Sequence, residues 1–328
     1  MKYQVTIGLP TINQAFNIEH ALNSIIMAVN FVQIKNYILV VCANGCTDNT
    51  EAVVYSFIKN HPQINCQLIT SNPGVVNAQR KIVQNYPADI FIFPDDDGQI
   101  DKKSIKLLLD ELKNPKTIVA YAKSLSLKDN SKKQSSLAEK MGLLYDSQNM
   151  LTSREYFHGR LFATKDWHVP DDVEILKRAQ KNKHNSEILK YCRNNILLAA
   201  DDIYMSSYIM DKYGLEAIKQ VAMAHCYSWP VATFYDWLNI YRRRNIEMEK
   251  MNRWFPEYNY LWSHLNRKTD WSKWLKAGLG DKFIWLSYLF MRGLFFVYLK
   301  IEFLLLKTGF YEPPEQWKTT KSTKKKIK

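Results

Sequence analysis

Within the first 125 residues, short apolar runs at 5–9, 37–42, 66–70, 90–93 and 118–122 alternate with segments of helical periodicity. Strands separated by helices pair side by side in parallel, so this rhythm predicts an α/β domain built on a largely parallel sheet. The first intervening helix is marked by Ile18, Leu22, Ile25, Ile26 and Val29, an apolar stripe at helical spacing. A second is expected to be capped near Asp48 and to run through Val53, Val54 and Phe57. A third begins after Gly74, and a fourth spans about 103–112.

Beyond this half the pattern changes. Residues 124–134 are polar and lysine-rich, as a loop or lid would be, and the chain after them is mainly helical in pattern. A polar segment at 177–185 interrupts before a helix carrying residues 200–210. The C-terminal third is crowded with tryptophan, including Trp229, Trp237, Trp254, Trp262, Trp271, Trp274 and Trp285. Its apolar stretch 283–306 is long enough to span a bilayer but contains Arg292, Lys300 and Glu302. Each charge near the bilayer centre costs roughly 2.5–3.5 kcal/mol. An interfacial helix pair with snorkelling charges is therefore the expectation, and a buried core helix the competing reading. The tail, 318–328, holds six lysines and is expected to be disordered and to attract anionic lipid.

Hydrophobic residues at 46% and charged residues at 23% are ordinary for a globular chain and argue against wholesale disorder. The net charge of +13 means either a basic soluble surface or attraction to a polyanion, whether nucleic acid, anionic lipid or a phosphorylated substrate. Five scattered cysteines suggest reduced thiols that serve packing. Cys42 and Cys46 lack the two further ligands of a zinc site. The opening residues run straight into an apolar strand pattern, so no export signal is expected.

The sharpest chemical signal is Phe91-Ile92-Phe93-Pro94-Asp95-Asp96-Asp97. Three acids directly after an apolar strand lie at the carboxyl edge of the sheet, where open α/β sheets bind ligands. Carboxylates clustered there repel one another unless a cation lies between them, and hard oxygen ligands favour Mg²⁺ or Mn²⁺. A solvated acidic turn is the bland alternative. A second pair, Asp201-Asp202, comes after the apolar run 196–200 and contains either a general base or simply the first turn of a helix. Arg242, Arg243 and Arg244 suit diphosphate oxygens, or else form a basic helix face.

The order of these features resembles the family-two glycosyltransferases with the GT-A fold, over about residues 4–250. Ile7-Gly8-Leu9-Pro10-Thr11-Ile12-Asn13 is similar to the family's first strand and turn, and 40–50 to its second-strand motif. Asn72-Pro73-Gly74 with Asn77-Ala78-Gln79-Arg80 resembles the family's next conserved segment. Asp95-Asp96-Asp97 matches the D-x-D position, and Phe157-His158-Gly159-Arg160-Leu161-Phe162 is like the glycine turn on the acceptor side. Asp201-Asp202 stands at the family's acidic pair, and Arg242–Arg244 at an arginine-containing donor loop.

The resemblance implies an α/β, Rossmann-like nucleotide-diphospho-sugar transferase domain over 1–250, with a donor half (1–125) and an acceptor half (126–250). A helical, aromatic-rich, membrane-associating region would occupy 251–310, and a basic tail 311–328. It implies inverting transfer of a sugar from a nucleotide-sugar, a UDP-sugar as the first expectation, to a glycan or lipid-linked hydroxyl, assisted by Mn²⁺ or Mg²⁺. Pro10, Thr11 and Asn13 would line the nucleobase pocket with Asn44 and Arg80 nearby. Asp96 would lie on the donor side, Asp95 would face the ribose and the metal's water shell, and Asp97 would ligate the metal. Asp202 would be the base, Asp201 would orient the acceptor, and Arg243 or Arg244 would steady the diphosphate. Ala43 stands where a carboxylate is common, so base recognition would rest on Asn44 or differ in nucleotide preference; Asn245 stands where a tryptophan is usual, which argues against a processive synthase. A cytoplasmic protein, peripheral on the inner face of the cell membrane, is expected, with no nucleic-acid partner.

Two alternatives remain. A nucleotidyltransferase would place a glycine-rich basic loop after its first strand, where this chain reads Thr11-Ile12-Asn13-Gln14. A non-catalytic basic membrane- or nucleic-acid-binding protein would account for the charge but not for the acidic pairs.

Overall fold

The computed structural model describes residues 2–127, 135–147, 149–152, 155–181, 185–186, 188–192 and 197–308. The loop predicted at 124–134 needs correction at its start, because residues 124–126 continue the strand Val119–Ser126; residues 128–134, the polar residues 182–184, the start of the 196–200 run and the basic tail lie outside the described residues. The N-terminal part consists of β1 (Tyr3–Thr11), α1 (Ile18–Val32), β2 (Tyr37–Ala43), α2 (Thr50–Asn60), β3 (Cys66–Thr70), α3 (Val75–Asn85), β4 (Ala88–Pro94), β5 (Gln99–Ile100), α4 (Ser104–Leu112) and β6 (Val119–Ser126). The rest of the chain supplies α5 (Leu137–Ser147), β7 (Leu161–Thr164), α6 (Asp172–Gln180), α7 (Asp201–Tyr213), β8 (Ile218–Ser228), α8 (Phe234–Trp254), α9 (Trp271–Lys276) and α10 (Leu279–Thr308).

The strands form one sheet in the order β3-β2-β1-β4-β7-β6-β8-β5. The first four of these neighbours are parallel, and β7 turns the direction by pairing antiparallel with both β4 and β6. The period of two is strict. Ile7, Leu9, Leu39, Val41 and Ile92 face α1, α2 and α4, whereas Val40, Cys42, Phe91, Phe93 and Tyr121 face α3 and the helices of the second half. On the second side β1 presents Gly8, where a Cβ would come within 2.6 Å of the Phe93 ring. Glycine there leaves room for the Phe93 ring to approach the strand closely.

The mainly helical second half needs correction, because β7 and β8 enter the sheet. A four-residue strand such as Leu161–Thr164, buried throughout, is too short to show a period. In β8, Lys219, Gln220 and the exposed Met223 hide the alternation. The arginine-containing segment is no loop either: Arg242–Arg244 lie in the middle of α8.

The C-terminal region packs on the domain. Trp285, Tyr288 and Phe295 of α10 are buried against Met141 and Leu144 of α5 and Trp237 of α8. Instead of a helix pair, the six-residue α9 precedes one 30-residue helix, and among the described residues no helix is long and apolar enough to cross a membrane. The charges do not all snorkel. Glu302 is only 3% exposed and grips Arg242 of α8 with both oxygens, at 3.0 Å and 2.6 Å. Arg292 lies over the Tyr288 ring.

A buried ion pair is costly to leave half-made. Glu302→Ala should destabilise the protein by about 3 kcal/mol because it strands the Arg242 guanidinium. Chemical denaturation should show most of this recovered in the double variant Arg242→Met/Glu302→Leu. A single variant as stable as wild type would show the pair to be solvated.

Candidate active site

The carboxyl ends of β1, β2 and β4 meet at one edge of the sheet, and side chains from the connecting loops stitch them together. Asn44 donates from its backbone and its side chain to the carbonyl of Thr11, at 2.9 Å and 2.8 Å. The Asn44 side-chain oxygen Oδ1 accepts from Gly74 N at the start of α3. Asn13 takes a left-handed φ of 52° and accepts from Thr47 N at 2.7 Å. Asp96 turns back under the first loop, where its oxygens accept from Ile12 N at 3.1 Å and Gln14 Nε2 at 3.4 Å. Thr11 is buried, and its Oγ1 has no hydrogen-bond partner among the described residues. Pro10 is half-buried beside it.

Asp95 and Asp97 face the cleft. With Asp96 they offer carboxylate oxygens that all lie within 4.8 Å of one another. Asp95 is exposed at the sheet edge. Desolvation, then repulsion from Asp97 and Asp96, holds its carboxyl well above the ordinary range, against the pull of Arg160. Oxygen donors crowded this closely fit a hard divalent cation, which would remove the repulsion that now raises Asp95. The residue after the triad must be glycine, since a Cβ at Gly98 would lie 2.9 Å from the carbonyl oxygen of Tyr227 on β8.

Arg160 supports this edge from below. Its carbonyl accepts from Asp95 N at 2.8 Å, and its guanidinium donates to Ser124 Oγ on β6 and Ser228 Oγ on β8. Burial works against its charge, but Asp146, Cys226, Asp97 and Asp95 outweigh that and raise its pKa.

Asp201 and Asp202 begin α7 on the opposite wall. The buried Asp201 accepts from Gln79 Nε2 at 2.6 Å, and Gln79 accepts in turn from Trp167 Nε1 at 3.3 Å. The approach to the pair is pinned by α8: Glu247 accepts from Ala199 N and Ala200 N, at 2.9 Å and 3.2 Å, while Lys250 donates to its other oxygen at 2.8 Å. Glu247 and Lys250 are both fully enclosed. One turn earlier on α8, Arg243 enters the field of Asp202, Asp95 and Asp97, although burial still lowers its pKa.

The structure thus gathers Asp95, Asp97, Asp201, Asp202 and Arg243 around one cleft, and uses Asn13, Asn44 and Asp96 to fix its floor. Arg80 is turned toward Asp172 and the carbonyl of Pro170, and Arg244 toward Tyr156 and the carbonyl of Leu265. Asp202 acts on both Arg243 and Arg244, while Asp95 and Asp97 act on Arg243. Gln79 and Arg160 lay inside recognised motifs without a role. Glu247 and Lys250 gave no signal, because a helical i,i+3 charge pair reads as a solvated surface.

A mixed sheet with acidic residues at its carboxyl edge defines a nucleotide-sugar transferase fold of the GT-A type. The sequence profile of glycosyl transferase family 2 matches residues 6–174, and the chain belongs to that family and is a glycosyltransferase. Among solved structures it is similar to the mannosyltransferase PcManGT from Pyrobaculum calidifontis in complex with GDP-Man and Mn²⁺, at 15% identity and TM-score 0.50, over 94% of this chain and 87% of that one. S. aureus TarS 1–349 aligns at 16% identity and TM-score 0.43, over 88% and 80%. Glucosyl-3-phosphoglycerate synthase from Mycobacterium tuberculosis, with Mn²⁺, UDP-Glc and phosphoglyceric acid, aligns at 16% and TM-score 0.41, over 67% and 70%. No curated protein matches the sequence.

Asp201 titrates near 7 rather than 3.8, through desolvation first and Asp202 second, with Gln79 pulling the other way. Its folded value exceeds its unfolded one, so its contribution to stability is complete below pH 4 and lost as pH rises through about 7. In metal-free buffer, Asp201→Asn should therefore gain about 1–3 kcal/mol over wild type at pH 8 and little at pH 4. Urea titrations at both pH values measure this; parallel pH dependences in the two proteins would contradict it.

Proposed function

We propose that the protein transfers a sugar, with inversion, from a nucleotide-sugar to an acceptor hydroxyl in the cleft between Asp95–Asp97 and Asp201–Asp202. The observation that carries this reading is the meeting of two acidic groups from opposite walls with one deep-set arginine between them. Asp97 and Asp95 are the residues to hold Mn²⁺ or Mg²⁺. When bound, such an ion supplies Lewis-acid stabilisation to the departing nucleoside diphosphate. Arg243 adds a fixed positive charge on the same side, in a cleft where low dielectric strengthens it. Asp202 accepts the proton of the acceptor hydroxyl as its oxygen bonds to the anomeric carbon, while the bond from that carbon to the diphosphate oxygen breaks. Asp201, held by Gln79, orients the acceptor. The Thr11–Asn13 turn is the wall for the nucleobase, with UDP-sugars the first donors to test and GDP-sugars the second.

A thermal-shift screen of nucleotide-sugars with Mn²⁺, Mg²⁺ or chelator, and then transfer assays, test the assignment. One donor class should stabilise the protein only with metal, and Asp97→Ala should abolish that effect while leaving the circular dichroism spectrum unchanged. Asp202→Asn should keep donor binding but lower kcat by about 10²–10⁴-fold, the range for a lost general base. Asp97→Ala with wild-type turnover would sink the metal assignment.

The same reading puts the enzyme on a membrane surface by its outermost helix. Phe283, Leu286, Phe290, Leu294, Val297 and Ile301 are exposed along one face of α10, at spacings of three and four. An apolar stripe of this length on a protein of net charge +13 suits an anionic bilayer. Phe290→Asp/Leu294→Asp should release the protein from vesicles containing anionic lipid without lowering its unfolding midpoint. Unchanged co-sedimentation would rule out this face.

A further inference from the structure

The connection that carries the acidic triad is short for the strands it joins. Residues 95–98 link β4 to β5, and the sheet order puts β7, β6 and β8 between those two. Neighbouring strands lie about 4.8 Å apart, so the four spacings measure about 19 Å on a flat sheet. The chain from Pro94 to Gln99 spans at most about 18 Å when fully extended, and a turn at 96–97 shortens it. The sheet must therefore curl to bring these strand ends together. The β6–β8 pair shows where: Ala122 pairs with Val221 but Lys123 with His225, and a break of register of this kind bends a strand.

Arg160 bridges the strands that the connection passes. It directly precedes β7, and its carbonyl accepts from Asp95 N at the end of β4, at 2.8 Å. One guanidinium nitrogen donates to both Ser124 Oγ on β6 and Ser228 Oγ on β8. Next to Ser228, the Tyr227 carbonyl closes on Gly98, where β8 meets β5. A single residue thus ties β7, β6 and β8 together and, through its own backbone, fixes the first of the three carboxylates. Its charge has a nearer counterpart than the triad. The carboxylate of Asp146, which accepts from Ser126 Oγ, acts on it more strongly than Asp97 or Asp95 does. A cation present only to offset the triad would face the triad first.

We propose that Arg160 is a positioning residue that holds the curled edge closed and so sets the spacing of the carboxylates that take the divalent ion. The inference rests on the reading of Asp95 and Asp97 as metal ligands. Mg²⁺ demands short bonds in near-octahedral array, whereas Ca²⁺ accepts longer and less regular ones. An edge that opens therefore loses Mg²⁺ before Ca²⁺, while a change of charge alone moves the two divalent ions together.

Titration of the full chain with Mn²⁺, followed by electron paramagnetic resonance, tests the proposal, with Mg²⁺ and Ca²⁺ as competing ions. Ser124→Ala/Ser228→Ala removes both hydroxyls and no charge. It should weaken Mg²⁺ binding by at least about fivefold and Ca²⁺ binding by less than about twofold. Arg160→Met should lower the ratio of Mg²⁺ to Ca²⁺ affinity in the same way, whatever the lost charge does to both. Arg160→Lys, which keeps one nitrogen for the two hydroxyls, should stay closer to wild type. Circular dichroism and the unfolding midpoint report that each variant is folded, and Ser228→Ala alone replaces the double variant if that one is not. An unchanged Mg²⁺ to Ca²⁺ ratio in folded variants would overturn the positioning role and leave the metal ligands standing. Wild-type protein that takes up Mn²⁺ no better than Asp97→Ala would overturn the metal reading, and this inference with it.

Discussion

Mutual repulsion among carboxylates at the sheet edge is the constraint around which the molecule is arranged. Asp95, Asp96, Asp97, Asp201 and Asp202 are brought within each other's fields in a cleft where water screens poorly. Left alone they would either take up protons or force the two walls apart. The fold answers in three ways. Asp96 is turned out of the cleft and satisfied by the amides of the first loop. Arg160 and Arg243 bring positive charge from below and from the side. Asp201 is held by a neutral amide, that of Gln79, so its carboxyl can exist in either protonation state. Repulsion is still felt at Asp95, whose carboxyl stays raised by desolvation and by Asp97 and Asp96 against the pull of Arg160.

This arrangement makes α8 the element that relates the site to the rest of the protein. Successive residues on a helix are turned by about 100°, so Arg242, Arg243 and Arg244 cannot act as one patch. Arg242 reaches Glu302 on α10, Arg243 faces the cleft, and Arg244 binds Tyr156 and the carbonyl of Leu265. Three neighbours in sequence thus serve a buried interface, the proposed site and a loop anchor. The Glu247–Lys250 pair, one turn further, fixes the backbone entering Asp201. Removing one member would leave a buried charge, so the pair fixes geometry more than it adds stability.

Much of the donor half was legible in the sequence for a simple reason. Strands such as Tyr37–Ala43 and Ala88–Pro94 are buried on both faces and show as continuous apolar runs between helical stripes. The acidic triad was legible because it comes directly after such a run. The second half was not. β7 is short, β8 mixes lysine and glutamine with apolar residues, and both depend on partners far away in sequence. The arginine run shows the same limit: its composition suggested one function, and only the helix revealed three directions. Gln79 and Glu247 matter through partners 122 and 48 residues distant, respectively, and no local pattern records such pairings.

Helix α10 carries the same physics to the edge of the molecule. A helix serving only the core needs one apolar face, and α10 has that face in Trp285, Tyr288, Phe295 and Leu299. Its second apolar face, from Phe283 to Ile301, is exposed among the described residues, and leaving such a face in water carries a free-energy cost. The structure buries one side of this stretch, as a core helix would be, and leaves the other exposed. Glu302 settles which side faces inward, because a carboxylate that finds Arg242 only in one rotational setting prevents the two apolar faces from exchanging places. The ion pair that looked like an obstacle to membrane insertion therefore sets the orientation of the helix, with one hydrophobic stripe in the core and the other turned outward.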